Sequence, residues 1–228
     1  MSFEERSYNS ELFRPRPEII YNPSSGLLVV ATPWGPRASA RKAAQFLQDF
    51  LLSAREDSEA TSPFAKLTCL SPLANQLRLA IKMTNDLIYQ EDNKQEYVSG
   101  IELTVILRSH YEVVVAQYGH PFLLLDRPAT GLTPLGNQMD LSSELSFETE
   151  MTSPLPQKLL GVDPTSDFAI HSIRYSPGDR YLLVSRSSLP ADVYTLPYGC
   201  RTLTEISQTL SKTNERMPFW LGALTFGS

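Results

Sequence analysis

Cysteine is scarce: the 228 residues carry two, Cys69 and Cys200, far apart and outside any Cys-x-x-Cys spacing. Two thiols cannot build a four-ligand zinc site alone, so they read as free thiols in a reducing compartment. No run of about 18 apolar residues occurs, which argues against a transmembrane helix. Met1-Ser2-Phe3-Glu4-Glu5-Arg6 lacks a basic region followed by an apolar stretch, so no secretory signal is expected. Basic excess is missing too. Lys+Arg number 20 against 25 Asp+Glu, a net charge of -5, where general nucleic-acid binding needs a basic face. Gly26 and Gly35 build no phosphate-cradling loop, since glycine-rich spacing and a Lys-Ser/Thr pair are absent. Ser185-Arg186-Ser187-Ser188 lacks the Gly-x-Ser-x-Gly pattern of a nucleophile elbow. These absences describe a cytoplasmic protein with no nucleic-acid or membrane partner and no cofactor.

What is present is a run of ordinary elements in an informative order. Residues 1–18 are polar and contain Arg14-Pro15-Arg16-Pro17, which reads as an N-terminal arm or an edge strand, because proline removes ladder donors. Ile19 to Ala31 reads as strand, turn and strand around Asn22-Pro23-Ser24-Ser25-Gly26. From Ala38 to Arg55, apolar residues recur at helical spacing: Ala43, Phe46, Leu47, Phe50, Leu51 and Ala54. Ser71 and Pro72 open a second helix as cap and first residue. Its expected buried stripe includes Leu73, Leu77, Ile81, Thr84, Leu87 and Ile88, and Gln90 to Gln95 is expected as a charged loop.

Ile101–Leu107 and Glu112–Tyr118 follow as a hairpin around Ser109-His110. Phe122–Leu125 is a third strand beyond the Gly119-His120-Pro121 corner. Residues 131–158 are long, polar and punctuated by Pro and Gly, which in a compact domain marks a functional or mobile stretch. Phe168–Tyr175 alternates as a strand, Ser176-Pro177-Gly178-Asp179 turns, and Tyr181–Val184 returns. Thr202-Leu203-Thr204-Glu205 has capping-box spacing and opens a final helix to Asn214. Phe219–Phe226 is the last strand. Consecutive hairpins without alternating β-α-β units imply an α+β fold, antiparallel strands with helices stacked outside. The whole chain, 1–228, is expected as one domain.

Ala31-Thr32-Pro33-Trp34-Gly35-Pro36-Arg37-Ala38-Ser39 follows an apolar strand and enters a helix. It resembles the Ala-Asp-Gly-Met-Gly-Gly-His…Ala-Ser signature of the metal-dependent type 2C protein phosphatases. Four further segments fall in that family's order. Gly100-Ile101-Glu102-Leu103-Thr104 resembles the strand entry after the second helix. Tyr118-Gly119-His120-Pro121-Phe122 through Arg127, with Leu132-Thr133-Pro134-Leu135-Gly136, looks most like the bacterial branch acting on anti-sigma-factor antagonists. Pro177-Gly178-Asp179-Arg180-Tyr181-Leu182-Leu183-Val184-Ser185-Arg186 resembles Pro-Gly-Asp…Leu-Leu…Ser-Asp-Gly-Leu. Pro218-Phe219-Trp220 stands where the closing Asp-Asn pair would be. The resemblance implies an antiparallel β-sandwich flanked by helices, α-β-β-α in layers.

The departures carry the functional expectation. The family holds two hard cations on carboxylates from separate strands, and those ions activate water against a phosphoester. Here the three carboxylate positions read Thr32, Arg186 and Pro218, and Pro33 stands where the family's glycine offers its backbone carbonyl. A fixed cation at Arg186 opposes a divalent ion electrostatically. The resemblance therefore implies a phosphatase fold without its metal site: a pseudophosphatase acting as a regulatory, protein-binding module in signalling, on a phosphoprotein or a kinase. Arg37, His120 and Arg186 are the candidate binding residues in the former cleft. An active phosphatase with a rebuilt metal site on acids such as Glu18 or Glu102 is the alternative, and a self-associating domain with no ligand is a third reading. Arg37, Arg41 and Lys42 read first as a solvated basic face and second as an anion site. His110, His171, Trp34, Trp220 and Asp179 read as structural.

Overall fold

A computed structural model describes residues 1–9, 14–56, 65–128, 130–136, 141–142 and 154–227. Local side-chain chemistry starts its helices. Ser71 accepts a hydrogen bond from the Ala74 amide, and Pro72 opens α2 (Pro72–Ile88). Thr202 and Glu205 close a reciprocal capping box at the start of α4 (Leu203–Thr213). Removing that cap is expected to be measurable: Thr202→Ala should cost about 1 kcal/mol in a urea melt. The described residues also form α1 (Arg37–Glu56) and the short α3 (Ala191–Thr195).

Contacts within the chain divide it into two compact units. The first comprises 1–14, 120–157 and 176–228, and holds a sheet ordered β1-β10-β9-β6-β7. Its strands are β1 (Ser2–Tyr8), β6 (Phe122–Arg127), β7 (Gly131–Pro134), β9 (Arg180–Ser185) and β10 (Phe219–Thr225). Every pairing is antiparallel. The α4 side chains Ile206 and Leu210 pack with Leu182, Val184 and Leu221, one face of the sheet's middle strands. β1 is the edge strand that the opening residues allowed, and Trp220 donates its indole N–H to Glu5 at 2.8 Å to hold it.

The second unit comprises 15–119 and 158–175, with a sheet ordered β2-β3-β4-β5-β8. Its strands are β2 (Glu18–Asn22), β3 (Leu27–Trp34), β4 (Gly100–Arg108), β5 (Glu112–Tyr118) and β8 (Ala169–Arg174), again all antiparallel. α1 and α2 pack on the face that carries Val29, Ala31, Leu103 and Val105. Along β3 and β4 both faces are buried, which explains their continuous apolar runs. The architecture is thus α+β: two antiparallel sheets with flanking helices.

At the Gly119-His120-Pro121 corner the chain leaves the β4-β5 sheet, and β6 pairs with β9 and β7. Two expectations need correction. Residues 89–93 are not loop but a π-helical turn continuing α2. The α2 stripe includes Ala74 and Asn85, while Leu73 and Leu87 are half-buried. Asn85 is buried because it is occupied: Gly161 donates to its side-chain oxygen, and its amide donates to the Asp163 carbonyl. The polar loop expected at 56–66 and most of the 131–158 stretch lie outside the described residues, apart from β7 and a few flanking positions.

Candidate functional site

In the first unit, β9 ends at Ser185, opposite Trp220 of β10, and β6 begins at Phe122, opposite Val184. Arg186 follows β9, Pro218 precedes β10, and His120 precedes β6. The register therefore gathers these three sequence-singled residues at one end of one sheet.

Arg186 is 1% exposed, and among the described residues its Nε and Nη1 have no hydrogen-bond partner. Burial alone pushes its pKa down to about 10, so the guanidinium stays charged at neutral pH. A buried charge without a counter-ion is expensive; it normally pairs or binds something. His120 is fully buried, its ring edge-to-face against Phe122 at 4.6 Å. The sequence reading missed Arg14. It is buried and donates Nη1 to the Ser185 hydroxyl at 2.8 Å, bringing a further guanidinium to this sheet end. Its only sequence signal was a Pro-flanked arginine in a polar segment, which does not separate a buried anchor from an arm.

In the second unit, Thr32 lies directly opposite Glu102, and Pro33 opposite Ile101. Thr32 is fully buried, and among the described residues its hydroxyl has no partner. Glu102 is also buried and accepts the Trp34 indole N–H at 2.9 Å. Gly35, which begins the passage into α1, has φ +125, and a Cβ there would lie 2.4 Å from the Val98 carbonyl oxygen. Only glycine fits that approach. Arg37 is half exposed and donates its Nε to Glu18, which Arg41 also reaches at 3.4 Å.

The two acids named for a rebuilt metal site do not face each other. Glu18 lies opposite Ala31, whereas Glu102 lies opposite Thr32. Directly opposite residues share a face and successive residues alternate, so these carboxylates point to opposite faces of the sheet. Glu18 is also engaged by two arginines. Among the described residues no three of His, Cys, Asp and Glu form a metal-holding group. Of the positions that the type 2C resemblance assigns to metal, the second unit supplies the Thr32 hydroxyl and the Pro33 backbone carbonyl, and the first supplies the Arg186 guanidinium and Pro218, which has no side-chain donor. Hard divalent ions want anionic oxygens, and this donor set does not fit them.

Two buried acids of the first unit serve the scaffold. Asp179 is fully buried and accepts Arg127 Nε at 2.7 Å and Nη2 at 2.9 Å, with the Ser176 amide at 3.1 Å. Asp126, at the sheet end away from Arg186, accepts from Arg180 and Arg201. These three line a pocket of about 280 Å³ with Tyr198, Thr202 and Thr225. Of the two histidines read as structural, His110 is exposed in the β4-β5 turn and His171 lies within β8. Among the described residues no helix is long and apolar enough to cross a membrane.

No protein-family model matches the chain, and no curated protein matches it. Solved structures do. The Mycobacterium tuberculosis serine/threonine phosphatase PstP/Ppp superposes with a TM-score of 0.67 at 15% identity, covering 100% of this chain and 99% of that one. The PPM Ser-Thr phosphatase MsPP from Mycobacterium smegmatis, in complex with cacodylate, gives 0.68 at 15% identity with the same coverage. PppA, a regulatory component of the type VI secretion system in Pseudomonas aeruginosa, gives 0.62 at 20% identity, covering 99% of each chain. The chain has the fold of the PPM-type, or type 2C, serine/threonine phosphatases over its full length.

Proposed function

We propose that this chain is a pseudophosphatase: a single phosphatase-like domain that binds a signalling protein and does not hydrolyse phosphoesters. The observation that carries this reading is Arg186, a buried guanidinium where the type 2C resemblance expects a metal-binding carboxylate. A fixed positive charge repels the divalent pair that the chemistry needs, and no neighbouring acid among the described residues pairs with it. Thr32 and Pro218 remove two further anionic ligands. The partner is a phosphoprotein or its kinase, met by the sheet end of the first unit that carries His120 and Arg186. Two exposed, free thiols suit a reducing, cytoplasmic setting.

The test pairs calorimetric titration of manganese and magnesium with turnover of an aryl phosphate on the same sample. We expect no stoichiometric metal binding and no metal-dependent hydrolysis. Metal-dependent turnover that disappears on substitution of Thr32 or Arg186 overturns the proposal and restores the rebuilt-site alternative.

A further inference from the structure

We infer that Arg186 is itself an oxyanion-binding residue, its guanidinium holding a phosphoryl-type anion directly, with no metal ion between them. The inference rests on the pseudophosphatase reading and names what the altered site takes.

Arg186 is nearly sealed from solvent, yet among the described residues two of its nitrogens donate to nothing. Its charge persists at neutral pH, because burial lowers the pKa only to about 10. A scaffold gains nothing from such a group: an apolar side chain of similar volume would fill the same space without the desolvation cost. The missing counter-charge defines the ligand. A planar guanidinium matches the oxygens of phosphate and carboxylate alike. The surroundings separate the two. Arg14 reaches Ser185, next to Arg186 in the chain, and His120 occupies the same sheet end. The two guanidinium charges at this sheet end favour a dianion over a monoanion. Arg186 sits at a bend just beyond β9, and Ser188, two residues on, is exposed.

The experiment uses the full chain in chelator, so that metal plays no part, and follows thermal unfolding against inorganic phosphate. Chloride at matched ionic strength and acetate are the comparison arms. At about a hundred times its Kd, phosphate should raise the Tm by roughly 5–10 °C. Acetate should raise it less. Phosphate also stabilises proteins generally by exclusion from their surfaces, so the decisive comparison is Arg186→Met. That variant should unfold at a higher temperature than the parent without phosphate and should lose the anion-specific shift. Equal phosphate shifts in the two proteins overturn the inference. So does a Met variant less stable than the parent, because the guanidinium would then already be paired. Calorimetric titration of the unsubstituted chain with phosphate decides the matter if the variant does not fold, and silence there overturns the inference. Metal-dependent turnover would remove the pseudophosphatase reading while leaving the chelated phosphate result standing, so the two failures are distinguishable.

Discussion

Asp126→Ala should lose about 3–5 kcal/mol of stability, seen as a Tm lower by roughly 6–20 °C. The carboxylate is buried in β6, directly opposite Arg180 of β9. Arg180 donates to one of its oxygens from Nε at 3.2 Å and from Nη2 at 2.7 Å, and Arg201 donates to the other from Nη1 at 2.6 Å. Arg201 in turn immediately precedes Thr202, the cap of α4, and donates Nε to the Leu196 carbonyl at 2.8 Å. One carboxylate therefore ties two middle strands to the start of a helix. Its removal leaves two guanidinium groups facing each other, one of them 7% exposed, with no anion between them. Asp126→Asn should cost less than Asp126→Ala, because it keeps an acceptor oxygen and the side chain's volume. A urea melt reads both variants. An alanine loss within the range of an exposed ion pair, about 0–1 kcal/mol, would show that solvent already screens the cluster.

No sequence feature marks that cluster. Asp126, Arg180 and Arg201 are spread over three segments, and what joins them is strand register, which periodicity does not encode. Features whose cause is local were legible. Ser71-Pro72 and Thr202…Glu205 announced α2 and α4 because a cap binds amides within its own first turn. The β4-β5 hairpin and the Ser176–Asp179 turn were legible for the same reason. Sheet membership was not: β4, β5 and β6 read as three successive strands, and nothing in the residues of β6 says that β8 takes the place beside β5. The π-turn at Tyr89–Asn93 was masked by its charge, since Glu91 and Asp92 read as loop while Asn93 is buried as a hydrogen-bonding hub.

The candidate site divides along the same line. The Leu-Leu-Val-Ser-Arg string resembles a type 2C segment that carries an acid at the position of Arg186. That the guanidinium is buried and unpartnered among the described residues could not be read from it, because pairing depends on segments distant in the chain. Glu18 and Glu102 show the converse. As letters they are two available carboxylates, Glu18 near a ligand position of the family; as strand residues opposite Ala31 and Thr32 they face opposite ways. Residue type names the two acids, and strand register sets which way each one faces.

Gly161→Ala should be the most damaging one-carbon change, costing roughly 2–5 kcal/mol from left-handed backbone and overpacking together. Gly161 has φ +86, and a Cβ there would lie 2.3 Å from Ile88 Cγ2 and 2.8 Å from Ile88 Cβ. Ile88 is fully buried at the end of α2, branched at the carbon that clashes, and so has no rotamer that relieves both contacts. The glycine cannot shift either. Its amide donates to Asn85 at 2.9 Å, its carbonyl accepts from Asn93 at 2.6 Å, and Leu160 beside it bridges Ile101 of β4. Gly178→Ala separates the two costs. Gly178 has a similar φ of +85, but a Cβ there meets nothing within 4 Å, so only the backbone cost of about 1–2 kcal/mol applies. Urea melts of both variants give the steric share as their difference. Equal losses would mean that the 160–161 segment moves away from α2 at little cost, and that the Asn85 and Asn93 hydrogen bonds do not hold it in place.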